Sequence, residues 1–134
     1  MKKTGILNPQ LARIVASMGH TDRLVVCDSG LPIPRGAEVV NLALTKNIPR
    51  FIETVRVLLE EMKVDRAVVS TEFHTLGNGM YEQLRSLLPG VEICEVSHEQ
   101  FKQLSCEVRT VAFVRTGEAT PFANVILESG VTFG

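Results

Sequence analysis

Short apolar runs of strand length alternate with helical patterns along most of this 134-residue chain. Two of these runs lie at residues 24–27 and 67–69, and the first is typical of a strand that is buried on both faces. Between them, apolar residues recur at the three- and four-residue spacing of amphipathic helices. Strands that alternate with helices favour a sheet covered by helices on both sides. The sequence therefore predicts a single three-layer α/β/α domain that spans residues 1–134.

The direction of the strands follows from where helices lie between them. The last third of the chain, from about residue 108, shows strand patterns and no helical pattern. We therefore expect a mixed, mostly parallel sheet rather than an all-parallel one. The predicted strands are residues 23–28, 38–43, 67–69, 91–96, 111–114 and 125–127.

Capping residues mark several helix ends. Asn8-Pro9 is typical of an N-cap followed by proline at the first helical position, and Gly19 is suited to ending that helix. A second helix is expected to open at Asn47 and Pro49, with Ile52, Val55, Leu59 and Met62 on one face. The remaining predictions are a loop at 29–36, an irregular segment at 72–79, a helix at 80–88 and a capping box at Ser97 and Gln100.

Composition excludes several classes of protein. The formal net charge is −1 and lysine and arginine form no cluster, so we expect no nucleic-acid partner. No segment approaches the roughly 20 apolar residues of a membrane span, and Asn8-Pro9-Gln10 interrupts any signal-peptide core. The three cysteines include no Cys-x-x-Cys pair, and Cys27 and Cys94 are expected to be small buried hydrophobes. These observations predict a reduced, cytoplasmic protein.

Residues 19–34 contain the first candidates for chemistry. His20 follows a helix end and can exchange a proton near neutral pH, and Asp28 stands at the tip of a buried strand. A histidine and a carboxylate brought together in this way indicate acid–base chemistry. On position alone, His20 could instead cap the helix, and Asp28 could bind backbone N–H groups of its own loop. A phosphohydrolase nucleophile is rejected because a second carboxylate is needed at position 30, which is glycine.

Further candidates lie later in the chain. His98, at the start of a helix, can donate one hydrogen bond and accept another, as can Asn124, and both properties suit a sugar hydroxyl. Either residue could instead have only a local structural role. His74 is interpreted as a solvated loop residue, and Arg115 and Glu118 could form a structural ion pair. The histidines and Asp28 lack the spacing of metal ligands, so no metal site is expected.

Two long motifs, residues 19–34 and residues 115–133, resemble the D-ribose pyranase family, whose relatives include the L-fucose mutarotases. The resemblance covers nearly the whole chain. It implies a cofactor-free isomerase that interconverts the pyranose and furanose forms of D-ribose. It also implies a homo-oligomer, a decamer of two stacked pentamers, with sites between neighbouring subunits.

The family resemblance also implies roles for individual residues. His20 coincides with the general acid, and the sugar-binding positions are Asp28, His98, Phe122, Ala123 and Asn124. The family usually has Tyr-Ala-Asn where this chain has Phe-Ala-Asn, so one phenol hydroxyl is missing and the sugar preference is open. The alternatives are a mutarotase for another sugar, such as L-fucose, and a non-catalytic sugar-binding protein that assists transport.

Overall fold

Six strands form one sheet in the computed structural model of this chain, which describes residues 1–133. In chain order the strands are β1 (Arg23–Cys27), β2 (Val39–Asn41), β3 (Val64–Ser70), β4 (Glu92–Val96), β5 (Thr110–Arg115) and β6 (Val125–Ser129). Their order across the sheet is β2-β5-β1-β6-β3-β4.

The sheet is mixed and mostly parallel, as the sequence predicts. β5 pairs in parallel with both β1 and β2, and β3 pairs in parallel with β4. β6 lies between β1 and β3 and runs antiparallel to both. Strands β1 to β5 therefore all point the same way, and their carboxyl ends lie along one edge of the sheet.

Five helices in the described part of the chain cover the sheet: α1 (Pro9–Ser17), α2 (Phe51–Glu61), α3 (Thr71–Leu76), α4 (Met80–Leu87) and α5 (His98–Ser105). Successive residues of β1 point to opposite faces, so Leu24 and Val26 belong to one core and Val25 and Cys27 to another. Helices α1 to α4 contribute to the first core. The second core is closed by α5, through Phe101, and by the loop after β1. The three-layer α/β/α architecture is confirmed.

The helix caps agree with the sequence at two starts and differ at one end. Asn8 Oδ1 accepts a hydrogen bond from the Leu11 N–H at 2.9 Å, with Pro9 as the first helical residue. Ser97 and Gln100 form the expected capping box at α5. Gly19 follows the C-cap of α1, as expected, but Met18 ends the helix in extended backbone and the left-handed residue near this end is Thr21, with φ of 71°.

The largest error in the sequence prediction concerns residues 72–79. The sequence pattern predicts an irregular segment here, but α3 occupies most of it, with Ser70 as its N-cap. Helix α2 begins at Phe51 after an Arg50 N-cap, so Asn47 does not open it. Cys27 is buried as expected, whereas Cys94 is only half-buried.

The longest helix in residues 1–133 is α2, with 11 residues. None of the helices described has both the length and the apolar character that a membrane crossing requires.

Candidate active site

A cleft of about 320 Å³ lies at the carboxyl edge of the sheet. Asp28 enters it directly after β1, and His98 enters it at the start of α5. Phe122 comes from the segment that joins β5 to β6. The structure therefore brings Asp28, His98 and Phe122 together, although they lie far apart in the sequence.

Asp28 both caps its own loop and lines the cleft. Its Oδ1 accepts hydrogen bonds from the N–H groups of Gly30 and Leu31, each at 2.9 Å. Burial raises the pKa of Asp28 above its ordinary value, while these two donors and the nearby His98 oppose the rise. The loop-capping alternative is thus correct as geometry, and it coexists with a position in the cleft.

Asn124 binds the backbone of Asp28. Its side chain is 1% exposed, and its Oδ1 accepts a hydrogen bond from the Asp28 N–H at 2.9 Å. Within residues 1–133 its Nδ2 has no hydrogen-bond partner. A buried donor without a partner is costly, which makes this amide a natural donor to a polar ligand. The neighbouring Ala123 is fully buried, so its side chain belongs to the core.

His98 and Phe122 form an aromatic wall of the cleft. Their rings meet edge to face with centroids 5.0 Å apart. The His98 backbone N–H donates to the Glu72 carboxylate on α3, with N–O distances of 3.1 and 3.3 Å. His98 Nδ1 is buried and has no hydrogen-bond partner among the residues described. Sequence reasoning missed Glu72 because the helix that carries it was not recognised.

Glu118 is a second acidic residue in the wall of this cleft, and its partner is not Arg115. Its side chain is 1% exposed, and its two oxygens accept hydrogen bonds from Arg50 Nε and Nη2, at 3.2 and 2.9 Å. Burial alone raises the pKa of Glu118, but Arg50 and the Phe51 N–H outweigh it and hold that pKa at about 2. Arg115 instead donates to the Ser29 carbonyl. The suggested Arg115–Glu118 pair is therefore wrong.

His20 lies at the opposite end of β1 from Asp28. It precedes the strand and lines a separate cleft of about 410 Å³ together with Lys63 and Phe133. Its Nε2 is 3.5 Å from Asp65 Oδ2, and its side chain is 58% exposed. β1 has five residues, and the steps between its first and last residue, at about 3.3 Å each, separate its ends by roughly 13 Å. The expectation that His20 and Asp28 come together is wrong within a single chain.

His74 is exposed to solvent, as expected, but it does not lie in a loop. It lies on α3, its Nδ1 is 2.9 Å from Glu95 Oε2, and its ring stacks on Tyr81 at 3.7 Å. It lies outside the cleft that holds Asp28. Nowhere in residues 1–133 do three or more His, Cys, Asp or Glu side chains form a group with metal-ligand geometry.

Comparison with known proteins connects this fold and cleft to one family. Residues 1–132 match the model of the RbsD / FucU transport protein family. The D-ribose pyranase of Coprothermobacter proteolyticus is 50% identical over 133 residues, which cover 99% of this chain and all of that protein.

Two solved structures extend the similarity to three dimensions. The structure of Bacillus subtilis RbsD complexed with D-ribose is 44% identical, with a TM-score of 0.93, and covers 99% of this chain and 100% of that one. The fucose mutarotase of Streptococcus pneumoniae in complex with L-fucose has the same coverage, a TM-score of 0.80 and 23% identity, so it shows the shared fold. This chain belongs to the RbsD / FucU family.

Proposed function

We propose that this protein is a D-ribose pyranase, an isomerase that interconverts the pyranose and furanose ring forms of D-ribose. Relatives named as D-ribose pyranases match it over their full length at up to 50% identity. The observation that carries the proposal is the cleft in which Asp28, His98 and Phe122 converge, with the Asp28 backbone bonded to the buried Asn124. It combines a carboxylate, an imidazole and an aromatic face, which are groups suited to a small polyhydroxylated ligand.

The reaction requires only proton transfers. Ring opening removes a proton from the anomeric hydroxyl and delivers a proton to the ring oxygen, and closure through a different hydroxyl reverses these roles. A positioned acid or base contributes typically ~10²–10⁴-fold to such a step. One histidine with a set of positioning groups is therefore a sufficient apparatus, and no cofactor is needed.

We assign the sugar-binding role to Asp28, His98 and the segment 122–124. The unpartnered Asn124 Nδ2 and His98 Nδ1 supply hydrogen-bonding capacity that the described residues do not use. Asp28 supplies a carboxylate whose burial makes it a stronger partner for hydroxyl groups than an exposed one.

The general acid in this proposal is His20 of a neighbouring copy of the chain. Within one chain, β1 separates His20 from the Asp28 cleft, so a single sugar reaches both only where two copies meet. We therefore propose a homo-oligomer in which each site combines the Asp28 cleft of one subunit with His20 of its neighbour. A decamer of two stacked pentamers is the form that the family resemblance implies, and a cytoplasmic location is part of the same proposal.

Saturation-transfer NMR on the anomer signals of D-ribose tests the proposed activity. We expect the purified protein to accelerate exchange between pyranose and furanose signals, and to do so equally with EDTA present. L-fucose in the same experiment separates ribose pyranase from fucose mutarotase. Ribose binding without accelerated exchange would replace the proposed enzyme by a non-catalytic sugar-binding protein.

A further inference from the structure

Glu118 is an unusual component of the cleft wall because it is a carboxylate with almost no exposure to water. Its side chain is 1% exposed, yet the residue lines the cleft that also holds Asp28 and His98. A buried charge is tolerated only where partners compensate it. The identity of those partners shows what the residue does.

The first set of partners lies at the start of α2. Arg50 Nε donates to Glu118 Oε1 at 3.2 Å, and Arg50 Nη2 donates to Oε2 at 2.9 Å. The Phe51 N–H donates to the same Oε1 at 3.0 Å. Glu118 thus satisfies a free N–H group in the first turn of α2, and it fixes the cleft wall to a helix anchored in the main core.

The second set of partners belongs to the two segments that form the cleft. The Thr120 N–H donates to Glu118 Oε2 at 3.2 Å, just before the segment that carries Phe122 and Asn124. The Ser29 N–H donates to the Glu118 carbonyl at 3.0 Å, immediately after Asp28. One residue therefore holds both the Asp28 loop and the 120–124 segment.

We propose that the Arg50–Glu118 pair is a positioning device that fixes the two walls of the sugar cleft relative to each other. This inference rests on the proposed function for its consequence in catalysis, but its structural part does not. Glu118 acts through Ser29 and Thr120 on the residues that bind the sugar. Arg50 does not line that cleft, and it acts on the cleft through Glu118.

The location of Arg50 makes the proposal testable without altering the cleft itself. Its side chain is 52% exposed and faces an outer cavity of about 360 Å³ that it shares with Arg56. An exposed ion pair contributes little to stability by itself. Removing Arg50, however, leaves the buried Glu118 carboxylate without two of its donors, so that side chain must move or take up a proton.

Arg50→Met is the principal variant, and Arg56→Met is its matched control, because Arg56 lies on α2, the helix that Arg50 caps, and lines the same cavity. In the sugar-free protein we expect hydrogen exchange of the Ser29 and Thr120 amides to accelerate about tenfold or more in Arg50→Met. In Arg56→Met, the same two amides should exchange hydrogen at the wild-type rate. Arg50→Lys keeps a charge but not the two-point geometry, so we expect an intermediate acceleration.

Ribose kinetics give the second readout. We expect Arg50→Met to raise KM about tenfold while kcat stays within about threefold of wild type, since the pair positions the binding groups and not the proton donor. Unchanged exchange of both amides in Arg50→Met and Arg50→Lys would overturn the positioning role, whatever the sugar. A wild-type protein that does not accelerate the interconversion of ribose ring forms would overturn the proposed function instead. The hydrogen-exchange rates of the two amides would then decide this inference alone.

Discussion

At the scale of single residues, Asp28 has a structural task in addition to the sugar-binding role that we propose for it. Its Oδ1 is occupied by the Gly30 and Leu31 N–H groups, which set the shape of the loop. The charge of the carboxylate is a separate property, and burial makes that charge costly. The two tasks can be separated, because asparagine retains the accepting oxygen and loses the charge.

Asp28→Asn should therefore weaken ribose binding while it leaves the loop intact. A charge-assisted hydrogen bond is worth about 1.5–3 kcal/mol against about 1 kcal/mol for a neutral one, so we expect the dissociation constant to rise about tenfold. Isothermal titration and thermal unfolding of the same samples make the comparison. An unchanged dissociation constant with a lower unfolding temperature would reduce Asp28 to a loop cap.

Phe122 is the position at which the cleft departs from the pattern that the family resemblance implies. Its backbone is left-handed, with φ of 68°, and tyrosine faces the same backbone constraint as phenylalanine. Phe122→Tyr should therefore fold normally and keep or raise ribose exchange, with the hydroxyl contributing about 0.5–1.5 kcal/mol if it finds a partner.

Asn124→Ala is the contrasting variant. It removes the acceptor for the Asp28 N–H and the unpartnered Nδ2 together, so we expect a larger loss of exchange than at position 122. Saturation-transfer rates for both variants beside wild type decide the matter. Loss of exchange in Phe122→Tyr with retention in Asn124→Ala would point to a pocket of different shape and to a different sugar.

At the scale of elements, the cleft depends on how α2 is joined to the segment after β5. Glu118 carries this connection, and the Arg50 and Phe51 donors hold its pKa at about 2, below the ordinary value of 4.5. A depressed carboxyl pKa stabilises the folded state fully above the unfolded value and loses that effect as pH falls toward the folded value.

The stability of the wild type should therefore contain a contribution that disappears between about pH 4.5 and pH 2. At about 1.4 kcal/mol per pKa unit the upper bound is about 3 kcal/mol, and the half-exposed Arg50 reduces it through solvent screening. Urea unfolding of wild type and Glu118→Gln across this range measures it. Parallel pH profiles for the two proteins would show that the Glu118 charge adds no stability.

Local signals in the sequence predict much of the fold. Asn8-Pro9 and the Ser97–Gln100 capping box mark helix starts through side chains that bind nearby backbone, so the sequence contains the whole interaction. Helix α3 was missed because its six residues are too few to show an apolar period. The Arg50–Glu118 pair was missed for another reason: 68 residues separate the partners, and only the folded sheet brings them together.

At the scale of the whole molecule, the candidate groups divide between the two ends of β1. His20 and Asp28 are eight positions apart in the sequence, and closeness along the chain suggested closeness in space. A strand between them has the opposite effect, because its extended backbone carries the two residues apart. The sequence pointed to both residues as candidates but could not show that β1 places them in two separate clefts of one chain.

Complementation between two impaired variants tests this division most directly. His20→Ala should reduce ribose exchange by ~10²-fold or more in a folded protein, and Asp28→Asn should reduce it through weaker binding. When the two are co-produced in equal amounts and mix at random, about a quarter of the sites between neighbouring subunits receive both intact residues. We expect ribose exchange in the mixed oligomer to recover to about that fraction of wild type, measured by saturation-transfer NMR at subsaturating ribose. Exchange no higher than the average of the two separate variants would contradict a site shared between copies.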